Sequence, residues 1–252
     1  MMDLQKASMW KRISAYLFDT ILLATLAVAL SMVLSMALGY DDYNATLEAA
    51  YDKYETQFGI EFEMTAEEFE AMTPEQEALY DQAYDALCKD EQAMHAYNMV
   101  LNLSLIITTA SLLIAYLLLE FAVPLLLKNG QTLGKKIFGV ALIREDGVQL
   151  NTVQLFTRTV LGKFVVETMI PVYVLIMLFF NTADMLILLL LAGIAIGQVI
   201  CVLATRTNSA IHDKMAGTVA VDLSSQRIFS TTEDLIAYKK SVHAEEAAKK
   251  SY

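Results

Sequence analysis

The sequence predicts an all-α membrane protein: a four-transmembrane-helix bundle with a helical extracytoplasmic insertion and a small cytoplasmic β-hairpin or sheet element. Three observations lead there. Of the 252 residues, 56% are hydrophobic, and the apolar residues fall in long uncharged runs, the signature of membrane spans. The charges are segregated: between Tyr40 and Tyr97, 16 acidic residues face only Lys53 and Lys89, a balance of −14 within a total of −11. Lysines and arginines gather instead in the other polar segments, and such an imbalance reports topology.

Residues 1–12 form a short basic lead, followed by a first span at 13–38. Thr20 to Leu38 is 19 residues without a charge, and with the preceding turns it can cross ~30 Å of hydrocarbon. Lys6, Lys11 and Arg12 resemble the basic start of a signal peptide, but the apolar run is long and contains Asp19, so a retained span is expected. A carboxylate within an apolar helix is costly and needs a partner or a purpose.

The insertion at 39–97 carries helix signals. Tyr43 to Phe58 is expected to extend the first helix outward and stop near Gly59. Thr65 with Glu68 and Thr73 with Gln76 read as capping boxes, the second followed by Pro74 at the first helical position. The helix that starts near Glu75 is expected to run without a break into the second span, at 98–127. The acidic residues read as a solvated face or as an electrostatic funnel for cations.

Residues 128–163 form the most patterned polar loop. Gly130 to Lys136 has the spacing Gly-x-x-x-Gly-Lys-Lys, one residue short of a phosphate loop and with Lys136 where magnesium would need Ser or Thr; a short amphipathic turn at the membrane surface is expected instead. Val140–Ile143, a turn at Asp146-Gly147, and Val148–Leu150 read as a β-hairpin. Asn151 with Gln154 can cap an interfacial helix that bears Arg158. The third and fourth spans, 164–180 and 185–204, join through a polar turn at Asn181-Thr182-Ala183-Asp184. In the final segment, 205–252, Thr218–Asp222 alternates as a strand that can pair with the hairpin, because a lone hairpin is marginal.

With Lys6, Lys11 and Arg12 at one end, Lys128, Lys135, Lys136, Arg144, Arg158 and Lys163 in the middle, and Arg206 and Lys214 after the last span, both termini are expected on the cytoplasmic side of the cell membrane. Asp19 then lies ~10 Å past Arg12 in the first span. Glu120 and Glu167 fall at a similar depth in the second and third. A proline follows each of those glutamates by four residues, Pro124 and Pro171. It leaves the glutamate's own carbonyl without its helical donor. Freed carbonyls beside carboxylates suit a hard cation; kinked spans whose glutamates pair with Arg12 or Arg158 are the plainer reading. Gly193 and Gly197 form a Gly-x-x-x-Gly that fits internal packing or a homodimer contact. His212 and Asp213 are neighbours whose side chains are expected to point apart, and Asp213 is expected to meet Arg12 or Arg158, whose planar guanidinium suits a carboxylate.

In this order the elements resemble the RDD family of bacterial membrane proteins, named for one arginine and two aspartates. Arg12 and Asp19 match in the first span, Glu120 in the second, then Gly130, Thr132, Gly134 and Lys135, the segment Gly139 to Arg158, and finally His212, Asp213 and Thr218 to Val221. Residues 40–97 lie outside the resemblance. It implies membrane transport, linked in some members to sodium/proton exchange.

Two functions are therefore weighed. In the first, Asp19, Glu120 and Glu167 share Na⁺ or a proton in a small ion-coupled transporter, with Arg12, Arg158, His212 and Asp213 shaping its inner entrance. In the second, the arginine–aspartate network only locks the helices and the acidic insertion binds a partner. Enzyme chemistry is not expected, since no nucleophile–base pair, metal set or nucleotide loop is legible. Two dispersed cysteines and three dispersed histidines give no disulfide and no metal site. No cofactor and no nucleic-acid partner are expected.

Overall fold

The structure is a computed structural model that describes residues 4–127, 129–179 and 184–250. The predicted turn residues Asn181, Thr182 and Ala183, and the basic Lys128, lie outside these. Four helices are long and apolar enough to cross a membrane: Met9–Leu38, Glu91–Leu127, Thr152–Leu178 and Met185–Ala204. They are called here the first to fourth spans. The chain divides into two compact units, one formed by Val28–Ser111 and the other by the residues up to Ala27 together with those from Leu112 onward.

In the Val28–Ser111 unit, Gly39 adopts φ 68° and separates the first span from a helix at Tyr40–Phe58. Gly59, also at φ 68°, ends that helix and donates its N–H to the Glu55 carbonyl. Both positions need the left-handed conformation that glycine takes without penalty. The two capping boxes form as predicted and open helices at Ala66–Glu70 and Pro74–Lys89. The expected unbroken run into the second span does not occur. Asp90 interrupts it: one carboxylate oxygen accepts the N–H groups of Gln92 and Ala93, at 3.0 and 3.2 Å. The other accepts Lys53 Nζ at 3.1 Å and the Tyr54 hydroxyl at 3.0 Å. An aspartate that caps the next helix while holding a neighbouring one leaves the helical path. Those amide and side-chain donors keep its carboxyl down at about 2. Ala50, Tyr54, Leu87 and Ala93 pack beneath.

The other unit is built on a two-stranded antiparallel sheet. β1 (Val140–Arg144) pairs with β2 (Thr218–Asp222), from Val140 opposite Asp222 to Arg144 opposite Thr218. The predicted hairpin is corrected in part. Its turn is present, with the Arg144 N–H donating to the Val148 carbonyl at 2.9 Å, but its return arm makes only single bridges, Ile143 to Gln149 and Val148 to Phe229. β2 offers five paired residues where the three-residue arm offers little, and so takes the strand position. Both sheet faces are covered: Val140, Leu142 and Ala220 pack with Ala7, and Ala141, Ile143, Val219 and Val221 pack with Leu4 and Ile228. The residues before the first span join the sheet, since Ala7 donates to the Ala220 carbonyl and Asp222 to that of Gln5.

The predicted interfacial helix and the third span are one helix. After the Asn151 cap it runs as α-helix over Thr152–Phe156, widens to a π-helix over Thr157–Met169 and returns to α-helix at Ile170–Phe179. The second span widens likewise over Leu117–Ala122. Each widening ends just before a proline, Pro124 or Pro171, where the regular ladder of N–H donors fails. The fourth span has no buried residue, as expected of a helix that lipid surrounds. Gly193 there has nothing within 4 Å of a would-be Cβ, and Gly197 has only the Ile211 side chain at 3.7 Å. Among the described residues no close helix approach therefore uses this pair.

Candidate functional site

Asp19 is buried and fully engaged. Thr132, the N-cap of a short helix at Leu133–Ile137, donates its hydroxyl to one carboxylate oxygen. The Gly134 N–H donates to the other at 2.8 Å, and Lys135 Nζ lies 3.4 Å away while donating to Thr132 at 3.0 Å. Free N–H groups at a helix start favour an anion. The segment that resembles a phosphate loop thus holds a carboxylate of its own chain. Position 134 must be glycine, since a Cβ there would stand 2.5 Å from the Ala15 carbonyl oxygen.

Glu120 pairs with Lys163 at 2.7 Å, both side chains less than a tenth exposed. The Glu120 carbonyl, which Pro124 leaves without a helical donor, accepts the Thr159 hydroxyl at 2.9 Å. The carbonyl that the sequence marks as lacking its α-helical donor thus accepts a hydroxyl from the third span. Oε2 of Glu120 has no hydrogen-bond partner.

Glu167 accepts the backbone N–H of His212 at 3.1 Å and meets Nδ1 of the same residue at 2.7 Å. On the other side of the ring, Nε2 lies 3.0 Å from Nη2 of Arg158. A guanidinium only donates, so Nε2 must accept, which puts the imidazole proton on Nδ1, facing Glu167. Burial lowers the His212 pKa below its usual value, in keeping with a neutral ring. Gly162 permits this contact, because a Cβ there would meet the His212 Cβ at 2.5 Å.

Asp213 accepts Arg158 Nε at 2.9 Å and the Thr218 hydroxyl at 3.0 Å. Arg12 Nη2 approaches it only to 3.9 Å. Burial by itself would raise the Asp213 carboxyl, but the basic groups around it, His212, Arg158 and Arg12, hold it well below the usual carboxylate range. The expectation that His212 and Asp213 point apart is corrected: both side chains reach Arg158, and Nε2 of His212 lies 3.6 Å from Asp213.

The expectation that Asp19, Glu120 and Glu167 share one site is corrected as well. Each ends on its own basic partner, Lys135, Lys163 or His212, because a buried carboxylate is tolerated only when paired. Among the described residues no three His, Cys, Asp or Glu side chains gather as a metal-ligand set. Sequence reasoning passed over Lys135 and Lys163 as partners. In the sequence both belong to the basic loop that sets topology, and their positions beside Gly134 and four residues before Glu167 are the only local sign of a pairing role.

A cavity of about 430 Å³ opens beside the network. Arg12, Lys135, Arg158, Lys163, Glu167 and His212 reach its wall, with Met9, Ile13, Tyr16 and Val202 among its apolar lining. Asp19 and Glu120 do not line it.

Four helices long and apolar enough to cross a membrane, with buried ion pairs at Asp19, Glu120 and Asp213, define a multi-pass α-helical membrane protein. The chain belongs to the RDD family, which it matches over residues 6–217. No curated protein and no solved structure matches it.

Proposed function

We propose that the chain is a small proton-coupled transporter, with Glu167 and His212 as the proton site and both termini on the cytoplasmic side of the cell membrane. One observation carries this reading: of the three intramembrane carboxylates, Glu167 is the one that lines the cavity, and it is hydrogen-bonded to a titratable ring. Its side chain is 18% exposed, against 8% and 4% for Asp19 and Glu120. The pair holds one proton on Nδ1 and has room for a second on the Glu167 carboxylate, or on Nε2 once Arg158 moves. Hydrogen bonding and charge on both sides bring such a site within reach of a gradient. Sodium exchange at Asp19 and Glu120 is the less favoured form, because Lys135 and Lys163 already neutralise both carboxylates.

Liposomes that hold the purified chain should show proton movement under a pH gradient, followed with an internal pH-sensitive dye, and Glu167→Gln should stop it. Folded Glu167→Gln protein with unchanged proton movement would overturn the assignment. External Na⁺ belongs in the same assay, since sodium-driven proton efflux would restore the exchange reading.

The saturation of Asp19 by three donors favours a second reading, a structural or partner-binding membrane protein whose ion pairs only lock the bundle. It expects no ion movement in liposomes and loss of folded protein when Asp19 is changed.

A further inference from the structure

The cavity wall is cationic on balance. Arg12, Lys135, Arg158 and Lys163 line it, against the carboxylates of Glu167 and Asp213. The two lysines are already spent on Asp19 and Glu120. The two arginines are not. Both face the single carboxylate of Asp213, and Arg12 lies 3.9 Å from it, beyond hydrogen-bond reach. Among the described residues the Arg12 guanidinium has no hydrogen-bond acceptor, although its side chain is only 16% exposed. Arg158 keeps Nη1 buried and unpartnered as well. The buried Nη1 of Arg158 is costly without an acceptor, Arg12 faces the cavity, and two guanidinium groups at one carboxylate fit a second acceptor.

We propose that this cavity binds a monoanion, a carboxylate or phosphate group with an apolar body, and takes it up together with a proton. The proton half rests on the Glu167–His212 reading above. The planar forks of Arg12 and Arg158 match either oxyanion. Met9, Ile13, Tyr16 and Val202 supply apolar walls, and the volume of about 430 Å³ falls in the ~300–1,000 Å³ range of small-molecule sites. Coupling follows from the ring geometry. Nε2 of His212 cannot take a proton while it accepts from Arg158 Nη2 at 3.0 Å. An anion that draws the Arg158 guanidinium towards Arg12 frees that lone pair and also places a negative charge beside it. His212 is faced by Glu167 and Arg158 of the third span, by Asp213 of its own helix and, across Asp213, by Arg12. Lys163 stands one helical turn from Glu167 but is held by Glu120. The fourth span offers the ring's helix only the uncharged Gln198, which accepts the Ile211 N–H. One bound negative charge is therefore balanced by one added proton.

The test uses the full chain purified in a neutral sugar detergent. Titration calorimetry with dodecyl phosphate and with inorganic phosphate at about pH 5, where both are monoanions, in buffers of different ionisation heat, reads affinity and the protein's proton uptake together. Dodecyl phosphate should bind with uptake of about one proton. Equal binding of inorganic phosphate would mean that the apolar walls add nothing and overturns the apolar-body part of the proposal, whereas tighter binding of the alkyl phosphate supports it. Arg12→Gln should weaken binding roughly tenfold or more, with partial recovery in Arg12→Lys. Val202→Trp fills the apolar wall without touching a charge and should weaken dodecyl phosphate at an unchanged unfolding temperature, which keeps the test open if Arg12→Gln fails to fold. Absence of binding by either anion, unchanged affinity in folded Arg12→Gln, or binding without proton uptake overturns the proposal. The liposome proton assay reads the transport function separately, so either can fail alone.

Discussion

Asp19 and Gly134 are joined by a backbone hydrogen bond of 2.8 Å, at a place where a Cβ on residue 134 would lie 2.5 Å from the carbonyl oxygen of Ala15 and 2.9 Å from the Asp19 carboxyl. The backbone of the Leu133–Ile137 helix must come this close for its free N–H to reach the first span. Gly162 plays the same part against His212. Gly134→Ala and Gly162→Ala should each destabilise the protein by about 1–3 kcal/mol, seen as a lower unfolding temperature in detergent. Gly193→Ala, with nothing within 4 Å, is the control and should leave that temperature unchanged. A change in association state with Gly193→Ala would instead place the fourth span against a second copy of the chain.

Thr159 donates to the Glu120 carbonyl, to which Pro124 offers no N–H in the α-helical register. Thr159→Val keeps the side-chain shape and leaves the Glu120 carbonyl without the hydroxyl that reaches it at 2.9 Å. The expected cost is about 1–3 kcal/mol, the penalty of an unsatisfied buried group. Thermal unfolding of the variant measures it, and a loss indistinguishable from zero would mean that the π-turn satisfies this carbonyl from the backbone.

These two sites show how far the sequence could be read. The four spans were legible because hydrocarbon admits only long apolar helices, and the pairing of Asp213 with an arginine because a buried arginine and aspartate need each other, but not which of Arg12 and Arg158 takes it. Pro124 announced a freed carbonyl, yet its partner lies on another helix and nothing in the local pattern names Thr159. The π-helical stretch at Thr157–Met169 was hidden for a similar reason: it changes which residues face the network without changing composition. Lys135 and Lys163 were visible as charges but not as partners, since a basic residue near a span end serves topology as readily as pairing. The break at Asp90 escaped because capping and helix-interior roles of aspartate look alike until Lys53 and Tyr54 are seen to hold it.

Stability should fall on mild acidification. Burial holds His212 below its usual pKa, so the unfolded chain takes up a proton near pH ~6.5, before the native state does. Native stability is then complete above that pH and declines below it. Asp213, held well below the usual carboxylate range, contributes stability that is present above pH ~4 and lost only as the pH falls further. Unfolding temperatures measured from pH 8 down to pH ~2 should therefore fall in two stages, one on each side of pH ~4, and His212→Gln should flatten the upper one. An unchanged slope in that variant would mean that another group titrates there.

The Asp19–Lys135 pair makes the sharpest separation between a lock and a working site. Burial pulls Lys135 down to about 8, even with Asp19 at 3.4 Å. Asp19→Asn removes the carboxylate in contact with this buried ammonium and leaves Glu120 as the carboxylate that still faces it, an error that costs up to about 3–5 kcal/mol where it cannot be relieved. Here it can be relieved by deprotonation. The folded pKa lies below that of a free lysine, so raising the pH through about 8 removes the native proton first, and the charge that needs Asp19 disappears. Asp19→Asn should therefore lower the unfolding temperature strongly at pH 7 and much less at pH 9. Lys135→Met in the same chain should recover part of the loss, with the coupling read from a double-mutant cycle. If the pair is a lock, folded Asp19→Asn/Lys135→Met protein keeps whatever proton movement the parent shows. If that movement vanishes while the unfolding temperature recovers, Asp19 belongs to the transport path and the assignment to Glu167 and His212 is incomplete.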